Sequence, residues 1–323
     1  MLRNLRSKIN KKDPLMIQPY YGYASPNSLW IKGRVLENEG IFEGETEGAI
    51  RNLIQNFKRF ETDEVPGVKV NIEIKGREYE VVTDREGYFT LDVEWDYQHN
   101  YKSNWIQAIV TSHGIESAVA EVFFAAKDAQ YGIITDIDDT VLKTNVTSIF
   151  KLKMLYATFF KDAHQRLPME GIVELFSKFA DDQHPIFYIS HSPWNIFDTL
   201  SEFMDLQGLP KGPILLRDYG LNPVGNFHDH KLVSIKRVLD NHPNLKFIML
   251  GDTAAEDADF YTELAHEYEG QIAAIYIRQT RRNKNAKRVE KLVEEHSDHE
   301  TEVILTDSSS VMLEHAKANG YIS

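Results

Sequence analysis

Three carboxylates and a threonine follow a short apolar run near the middle of the chain. Ile133 and Ile134 are typical of a buried strand, and Asp136, Asp138 and Thr140 come directly after it. Open α/β sheets bind their ligands at the carboxyl ends of strands. Two carboxylates two residues apart can divide the work of phosphoryl transfer, because one can attack phosphorus while the other protonates the leaving group. The crowded charges also favour a bound cation, so we interpret the stretch as a catalytic site and not as an acidic turn.

A second apolar run, Phe247–Leu250, ends in Gly251 and Asp252, and Asp257 follows shortly afterwards. If the two runs form neighbouring parallel strands, Asp252 lies beside Asp136. Two carboxylates, a backbone carbonyl and waters suit Mg²⁺, which prefers oxygen ligands. Asp257 has three interpretations: a metal ligand, a residue that orients the ligands, or an acid in the first turn of a helix, where the helix dipole favours negative charge.

Two further positions suit a phosphate group. Ser190 ends a predicted strand, and Ser192-Pro193 predicts the N-cap and the first residue of a helix. A hydroxyl and free amides at a helix start bind phosphate, and we expect Ser190 to make this contact while Ser192 caps the helix. Lys231 can neutralise the phosphate and the aspartates. Lys236 competes for this role, but Lys231 lies nearer the predicted start of its helix.

The elements that must position these side chains alternate over residues 128–323. Alternation of strands and helices predicts a parallel sheet covered on both faces. The predicted strands are Ile133–Thr135, Ile186–Ser190, Pro213–Leu216, Lys246–Leu250, Ile272–Ile277 and Glu302–Thr306. The predicted helices cover residues 170–181, 192–207, 229–240, 256–268, 284–296 and 309–319.

Residues 28–127 have a different pattern, in which short strands are separated by turn signals, and this pattern predicts a β-sandwich domain. The predicted strands are Trp30–Leu36, Val68–Ile74, Tyr79–Thr83, Tyr88–Val93, Ile106–Val110 and Ala118–Phe124. One helical pattern, Glu47–Phe60, interrupts them. Because these residues contain no catalytic constellation, we expect the domain to be a scaffold or a targeting module.

Residues 1–27 are predicted to form a basic N-terminal arm. Leu2, Leu5 and Ile9 recur at helical spacing among basic residues, as in a helix that lies on a membrane surface. A frayed terminus, or one docked on the acidic body of the protein, explains the same pattern.

Bulk composition narrows the class of protein. The formal net charge of −13 over 323 residues argues against a general nucleic-acid binder. The absence of cysteine excludes disulfides, thiolate catalysis and cysteine-ligated zinc, and it is consistent with a reducing cytosol. No apolar stretch approaches the roughly 20 residues of a spanning helix, and we see no secretory signal. We therefore expect a cytoplasmic protein that is soluble or peripheral at a membrane.

In chain order, these motifs resemble the haloacid dehalogenase superfamily of Mg²⁺-dependent phosphohydrolases. More specifically, three stretches resemble the actin-patch-associated phosphatidate phosphatase family and its bacterial relatives: residues 135–144, residues 188–194 and Gly251-Asp252. The resemblance covers residues 131–280, and the preceding β domain also resembles those bacterial relatives. His191 and Thr253 depart mildly from the family, in which Asn and Ser are commoner at these positions.

The resemblance implies a Rossmann-like, three-layer haloacid-dehalogenase-type domain over residues 128–323. It implies that Asp136 attacks phosphorus to form an aspartyl phosphate, and that Asp138 protonates the leaving alcohol and then activates water. It also implies Mg²⁺ held by Asp136, the Asp138 carbonyl and Asp252. The implied contacts to the transferring group are Ser190 and Lys231, and Thr140 is predicted to bind the substrate.

The segment between Asp136 and Ser190 is predicted to choose the substrate. Residues 147–161 are apolar around most of a helix and carry lysines such as Lys151, which predicts either a core helix or a flap. A flap could meet acyl chains while its lysines meet phosphate head groups. Ser190 lies only 54 positions after Asp136, so the site has no room for a large cap and could admit a lipid at a membrane surface. Arg166 is either a further head-group contact or a solvated loop residue.

We therefore expect a phosphatase that converts phosphatidate to diacylglycerol and phosphate. Its partners would be a phospholipid or another phosphomonoester, with peripheral membrane contact and no nucleic acid. Two alternatives remain open: a phosphatase of a soluble phosphomonoester, and a non-catalytic binding protein that acts through its β domain.

Overall fold

The computed structural model describes ten parts of the chain. They are residues 14–37, 65–97, 104–126, 129–137, 171–181, 183–217, 227–253, 257–279, 286–296 and 299–323. The predicted helix Glu47–Phe60 and residues 1–13 of the predicted arm lie outside the described residues. No helix among the described residues is both long and apolar enough to cross a membrane.

Eight strands of the N-terminal half are hydrogen-bonded into one sheet. They are β1 (Leu15–Pro19), β2 (Gly22–Ala24), β3 (Ser28–Glu37), β4 (Lys69–Ile74), β5 (Arg77–Val82), β6 (Tyr88–Glu94), β7 (Asn104–Ser112) and β8 (Ile115–Phe124). Their order is β1-β3-β2-β8-β7-β4-β5, and β6 pairs with the other side of β3. Strand β4 alternates exposed and buried residues, as its sequence pattern predicted. Because the pairing joins all eight strands, the two-sheet β-sandwich stays a prediction.

The prediction of an arm over residues 1–27 is wrong for the part that the structure describes. Strand β1 pairs antiparallel with β3, where Leu15 lies opposite Glu37, and β2 pairs with both β3 and β8. Both strands are short, and their hydrogen-bond partners are supplied by strands later in the chain. A local pattern does not show such partners, which is why sequence reasoning missed these strands.

Six parallel strands form the second sheet, and each of them was predicted. They are β9 (Tyr131–Asp136), β10 (Ile186–Pro193), β11 (Ile214–Arg217), β12 (Lys246–Asp252), β13 (Ile272–Arg278) and β14 (Glu302–Thr306). Their order is β11-β10-β9-β12-β13-β14. After β9 the chain forms β10 and β11 on one side of it, and then β12, β13 and β14 on the opposite side. The reversal lies between β9 and β12, where doubly wound sheets bind their ligands.

Six helices accompany this sheet among the described residues. They are α1 (Ile172–Asp181), α2 (Phe197–Leu206), α3 (Phe227–Asn241), α4 (Asp257–Glu267), α5 (Ala286–Glu295) and α6 (Ser309–Ala318). Helix α1 shows why they form where they do, because its buried residues recur at helical spacing: Ile172, Leu175, Phe176 and Phe179. The described chain is therefore a mixed α/β protein with an all-β N-terminal part.

The predicted helix start at Ser192 is wrong. Strand β10 continues to Pro193, which pairs with Arg217 of β11, and a 3₁₀ turn covers Trp194–Ile196 before α2 begins at Phe197. The amide of Ser192 donates a hydrogen bond to Ser190 Oγ at 3.0 Å. Continued pairing with β11 keeps this backbone extended, although Ser-Pro is a common helix start.

The N-terminal sheet packs on the α/β part around Trp194, directly after β10. The ring of Tyr20 stacks on Trp194 with centroids 4.8 Å apart, and Tyr23 meets Phe187 of β10 edge-on at 5.6 Å. These residues belong to one buried cluster that also contains the core of the parallel sheet. The N-terminal sheet therefore supports the segment that follows Ser190.

Candidate active site

The carboxyl ends of three adjacent strands bring the predicted site residues together. In the sheet, Ile189 of β10 lies opposite Asp136 of β9, and Leu250 of β12 lies opposite Thr135. Ser190, the residue after Ile189 in β10, and Asp252, the last residue of β12, therefore lie on either side of Asp136. All three side chains are buried. The predicted adjacency of the two acidic strand ends is confirmed.

Helix α3 places Lys231 among the carboxylates. Its Nζ lies 3.2 Å from Asp136 Oδ1, and it forms an ion pair with Asp257 Oδ1. The Lys231 side chain is only 1% exposed. Lys236 instead faces outward, where its Nζ lies 2.7 Å from Glu267 Oε1. Of the two lysines considered from the sequence, the structure brings Lys231 to the aspartates and leaves Lys236 on the surface.

The ammonium of Lys231 is held in its charged form. Burial alone would lower the pKa of Lys231, but the carboxylates of Asp136 and Asp257 outweigh burial and hold that pKa well above its usual range. The side chain therefore stays positively charged at neutral pH. It is suited to neutralising an anion and not to accepting a proton.

Asp257, the first residue of α4, has both carboxylate oxygens engaged by the protein. Oδ1 pairs with Lys231, and Oδ2 accepts a hydrogen bond of 3.2 Å from the amide of Asp252. Gly251 makes this close approach possible, because a Cβ at residue 251 would lie 2.6 Å from the Asp257 Cβ. These contacts favour the orienting interpretation of Asp257 over that of a direct metal ligand.

Tyr261 is a further residue of this site, and sequence reasoning missed it. Its hydroxyl donates to the Leu250 carbonyl at 3.1 Å, and its ring centroid lies 5.9 Å from Lys231 Nζ. Burial raises the pKa of Tyr261 well above its usual range, so the phenol stays neutral. The signal that could have found it is helical spacing, because Tyr261 lies four residues after Asp257 on the same helix.

The donor set suits a hard cation such as Mg²⁺. Asp136 and Asp252 supply carboxylate oxygens at adjacent strand ends, which is the ligand type that Mg²⁺ prefers. Within the described residues, no group of three or more histidine, aspartate or glutamate side chains is placed to hold a metal ion. The third predicted ligand, the carbonyl of Asp138, lies outside the described residues, so Mg²⁺ stays a prediction.

The remaining predicted site residues also lie outside the part of the chain that the structure describes. They are Asp138, Thr140, Lys151 and Arg166, together with the apolar segment 147–161. Their roles stay predictions.

The chain therefore contains an α/β domain in which Asp136, Asp252 and Lys231 lie together at the carboxyl edge of a parallel sheet. Residues 131–279 match the family model described as the catalytic domain of phosphatidate phosphatase APP1. The match confirms, over this segment, the resemblance to the actin-patch-associated phosphatidate phosphatase family that the motifs indicated.

Two curated proteins show the extent of the similarity. The phosphatidate phosphatase APP1 of Saccharomyces cerevisiae is 32% identical over 208 residues, which cover 61% of this chain and 34% of the yeast protein. An uncharacterized protein of Schizosaccharomyces pombe is 25% identical over 210 residues, which cover 62% of this chain and 34% of that protein. The chain thus matches about a third of the length of each of these relatives.

Among solved structures, the chain is similar to a HAD family hydrolase from Deinococcus radiodurans R1. The two are 12% identical with a TM-score of 0.36, and the similarity covers 61% of this chain and 99% of that chain.

Proposed function

We propose that the chain is a Mg²⁺-dependent phosphatase that hydrolyses phosphatidate to diacylglycerol and phosphate, in a three-layer domain of the haloacid-dehalogenase type. The observation that carries the proposal is the Lys231 ammonium 3.2 Å from Asp136 Oδ1, at the strand end beside Asp252. These residues lie within the segment that matches a phosphatidate phosphatase catalytic domain. A cytoplasmic location with peripheral membrane contact belongs to the same proposal.

Asp136 acts as the nucleophile. One of its oxygens attacks phosphorus, so an aspartyl phosphate forms and the bond between phosphorus and the leaving alcohol oxygen breaks. Asp138 gives its proton to that alcohol and then takes one from the water that attacks phosphorus. The attack releases inorganic phosphate and regenerates the Asp136 carboxylate.

The surrounding residues stabilise charge during this transfer. Lys231 stays protonated, so it offsets the negative charge shared by Asp136 and the phosphoryl group. Asp257 holds Lys231 in place, and Ser190 binds a phosphoryl oxygen from the neighbouring strand, β10. Asp136, Asp252 and the Asp138 carbonyl would hold Mg²⁺, which supplies further charge neutralisation when it is bound.

Phosphate release with and without Mg²⁺ tests the reaction. We expect turnover with Mg²⁺ that EDTA abolishes, and we expect Asp136→Asn to lower it at least about 10³-fold, because the nucleophile is lost. Circular dichroism of the variant should match the original chain, since Asn has the same shape. Asp205→Asn, on the exposed side of α2, is the matched control and should keep full activity. Retained turnover in Asp136→Asn would overturn the mechanism.

A substrate panel separates the proposal from its alternatives. A larger kcat/KM for phosphatidate dispersed in detergent than for soluble phosphomonoesters supports the lipid substrate. The reverse preference supports the soluble-substrate alternative. Mg²⁺-dependent turnover of any member removes the non-catalytic alternative.

A further inference from the structure

One exposed face of the N-terminal sheet combines acidic and apolar side chains. The sheet register places Glu78 of β5 opposite Glu73 of β4, and Glu73 opposite Ile109 of β7. It places Ile109 in turn opposite Val119 of β8. Residues that lie opposite one another project from the same side of a sheet, and we call these four residues the acidic–apolar row. The residues next to them along each strand, such as Ile72, belong to the buried core on the other side.

The apolar half of this row is exposed to solvent. Ile109 is 46% exposed and Val119 is 50% exposed. Val82 of β5 lies on the same side of the sheet, because its partner Lys69 alternates with Glu73 along β4. Three of the six large apolar side chains that are exposed within the described residues therefore lie on one face of one sheet. Exposed apolar side chains that gather on one surface mark an interaction site.

The acidic half of the row lacks a cation. Like charges directly opposite one another destabilise a sheet. A third glutamate of this face, Glu80, is paired, because its Oε1 lies 2.9 Å from Lys69 Nζ. Glu73 and Glu78 have no ion-pair partner in the part of the chain that the structure describes. A basic group placed between them would offset their repulsion.

The first residues of the chain have the complementary pattern. Residues 1–13 lie outside the described residues, and their sequence contains five basic side chains and one acidic side chain: Arg3, Arg6, Lys8, Lys11, Lys12 and Asp13. Three apolar side chains recur among them: Leu2, Leu5 and Ile9. A segment of this composition can place basic groups against the two glutamates while its apolar side chains cover the apolar half of the row.

This segment is tethered within reach of the row. It leads into β1, whose first residue, Leu15, lies opposite Glu37 in the same sheet. Five strand spacings separate β1 from β4 in the order of the sheet, which is about 24 Å. A chain of 13 extended residues spans about 45 Å. Tethering also raises the effective concentration of the segment at the sheet to about the millimolar range, so weak contacts suffice to hold it there.

We propose that the acidic–apolar row is the docking site of residues 1–13 of the same chain. Basic side chains of the segment pair with Glu73 and Glu78, and its apolar side chains cover Ile109 and Val119. The N-terminal sheet thereby acquires a binding role that does not depend on the reaction proposed above.

The distance between two spin labels tests the docking in the full-length chain. The chain contains no cysteine, so Ser7→Cys and His113→Cys provide the two labelling sites. His113 lies in the exposed turn between β7 and β8, beside the row but not in it. We expect a distance distribution only a few ångströms wide. A free segment would instead spread over about 15 Å, because seven residues of coil connect Ser7 to Pro14.

Substitutions in the row identify the contacts. Glu73→Gln together with Glu78→Gln should broaden the distribution to the width of free coil, because the basic side chains lose their partners. Ile109→Thr together with Val119→Thr should also broaden it, and threonine keeps the preference for a strand. Circular dichroism should be unchanged in both variants, since all four side chains lie on the surface.

The matched control removes the same charge elsewhere. Glu290→Gln together with Glu294→Gln, on the exposed side of α5, should leave the distance distribution narrow. A distribution as wide as free coil in the original chain overturns the proposal, even if anionic vesicles then narrow it, because the segment would be a membrane contact. A narrow distribution that both row variants leave unchanged overturns it as well. Loss of the narrow distance on dilution with unlabelled protein would show docking on a second copy and would also overturn it.

Discussion

The buried ion pair between Lys231 and Asp257 joins α3 to α4 beside the predicted nucleophile. Both side chains are 1% exposed, and Asp136 Oδ1 lies 3.2 Å from the same ammonium. Lys231→Met leaves two buried carboxylates without their cation. Asp257→Asn leaves the ammonium with Asp136 as its remaining described carboxylate partner.

The magnitude follows from the cost of an uncompensated buried charge. Removing one partner of a buried pair destabilises a protein by about 3–5 kcal/mol. We expect this loss for Lys231→Met, and a smaller one for Asp257→Asn because Asp136 still offsets the lysine. The double variant leaves one buried carboxylate and not two. Its destabilisation should therefore be smaller than the sum of the single losses by about 2 kcal/mol or more.

Urea unfolding of the four proteins, followed by far-UV circular dichroism, measures this coupling. EDTA should be present, because a bound cation would stabilise the carboxylates. The control is the exposed pair Lys236–Glu267, which joins the same two helices with Nζ and Oε1 2.7 Å apart. A cycle of Lys236→Met and Glu267→Gln should give a coupling below about 1 kcal/mol, because solvent screens exposed pairs. If the buried cycle is additive, or no larger than the exposed one, the reasoning is refuted.

Two further predictions concern packing and pH. Gly251→Ala would place a new Cβ 2.6 Å from the Asp257 Cβ. The substitution should therefore lower kcat/KM for phosphate release about 100-fold and lower the free energy of unfolding by about 1–3 kcal/mol. An unchanged rate would contradict the close approach. His242 should make stability fall at acid pH. Burial lowers its pKa to about 4, so between pH 6.5 and 4 the unfolded chain binds a proton that the folded chain does not. The free energy of unfolding measured with urea should fall by about 3 kcal/mol over that pH range because of His242, and His242→Phe should flatten the dependence of this free energy on pH. The exposed His113→Gln should leave the slope unchanged, and equal slopes in all three proteins would count against the assignment.

The six strands of the parallel sheet could be predicted from the sequence because their cores are short apolar runs. The residues that end these runs could be predicted as well, since carboxylates after an apolar strand have few purely structural explanations. Asp136 and Asp252 were placed on neighbouring strands by this reasoning, and the sheet register agrees. Strand ends were less predictable, because β10 extends to Pro193 by pairing with β11 and not by a local signal.

Contacts between distant residues were not predictable in the same way. Strands β1 and β2 depend on partners in β3 and β8, so their short sequences carry no signal of their own. Tyr261 contacts the site only because α4 packs against β12. The position of Lys32 beside Trp194 depends on how two sheets meet.

By itself, the sequence determined which residue types end the strands and therefore which chemistry the chain can support. Asp136 and Ser190 were chosen on those grounds, and Lys231 was chosen for its charge near the predicted start of a helix, because residue type and periodicity are local properties. Only the tertiary structure decided that Asp257 holds Lys231, and that Lys32 of the N-terminal sheet lies beside Trp194. The physical reason is that ion pairing and desolvation depend on distance in space, which the order of residues along the chain does not specify.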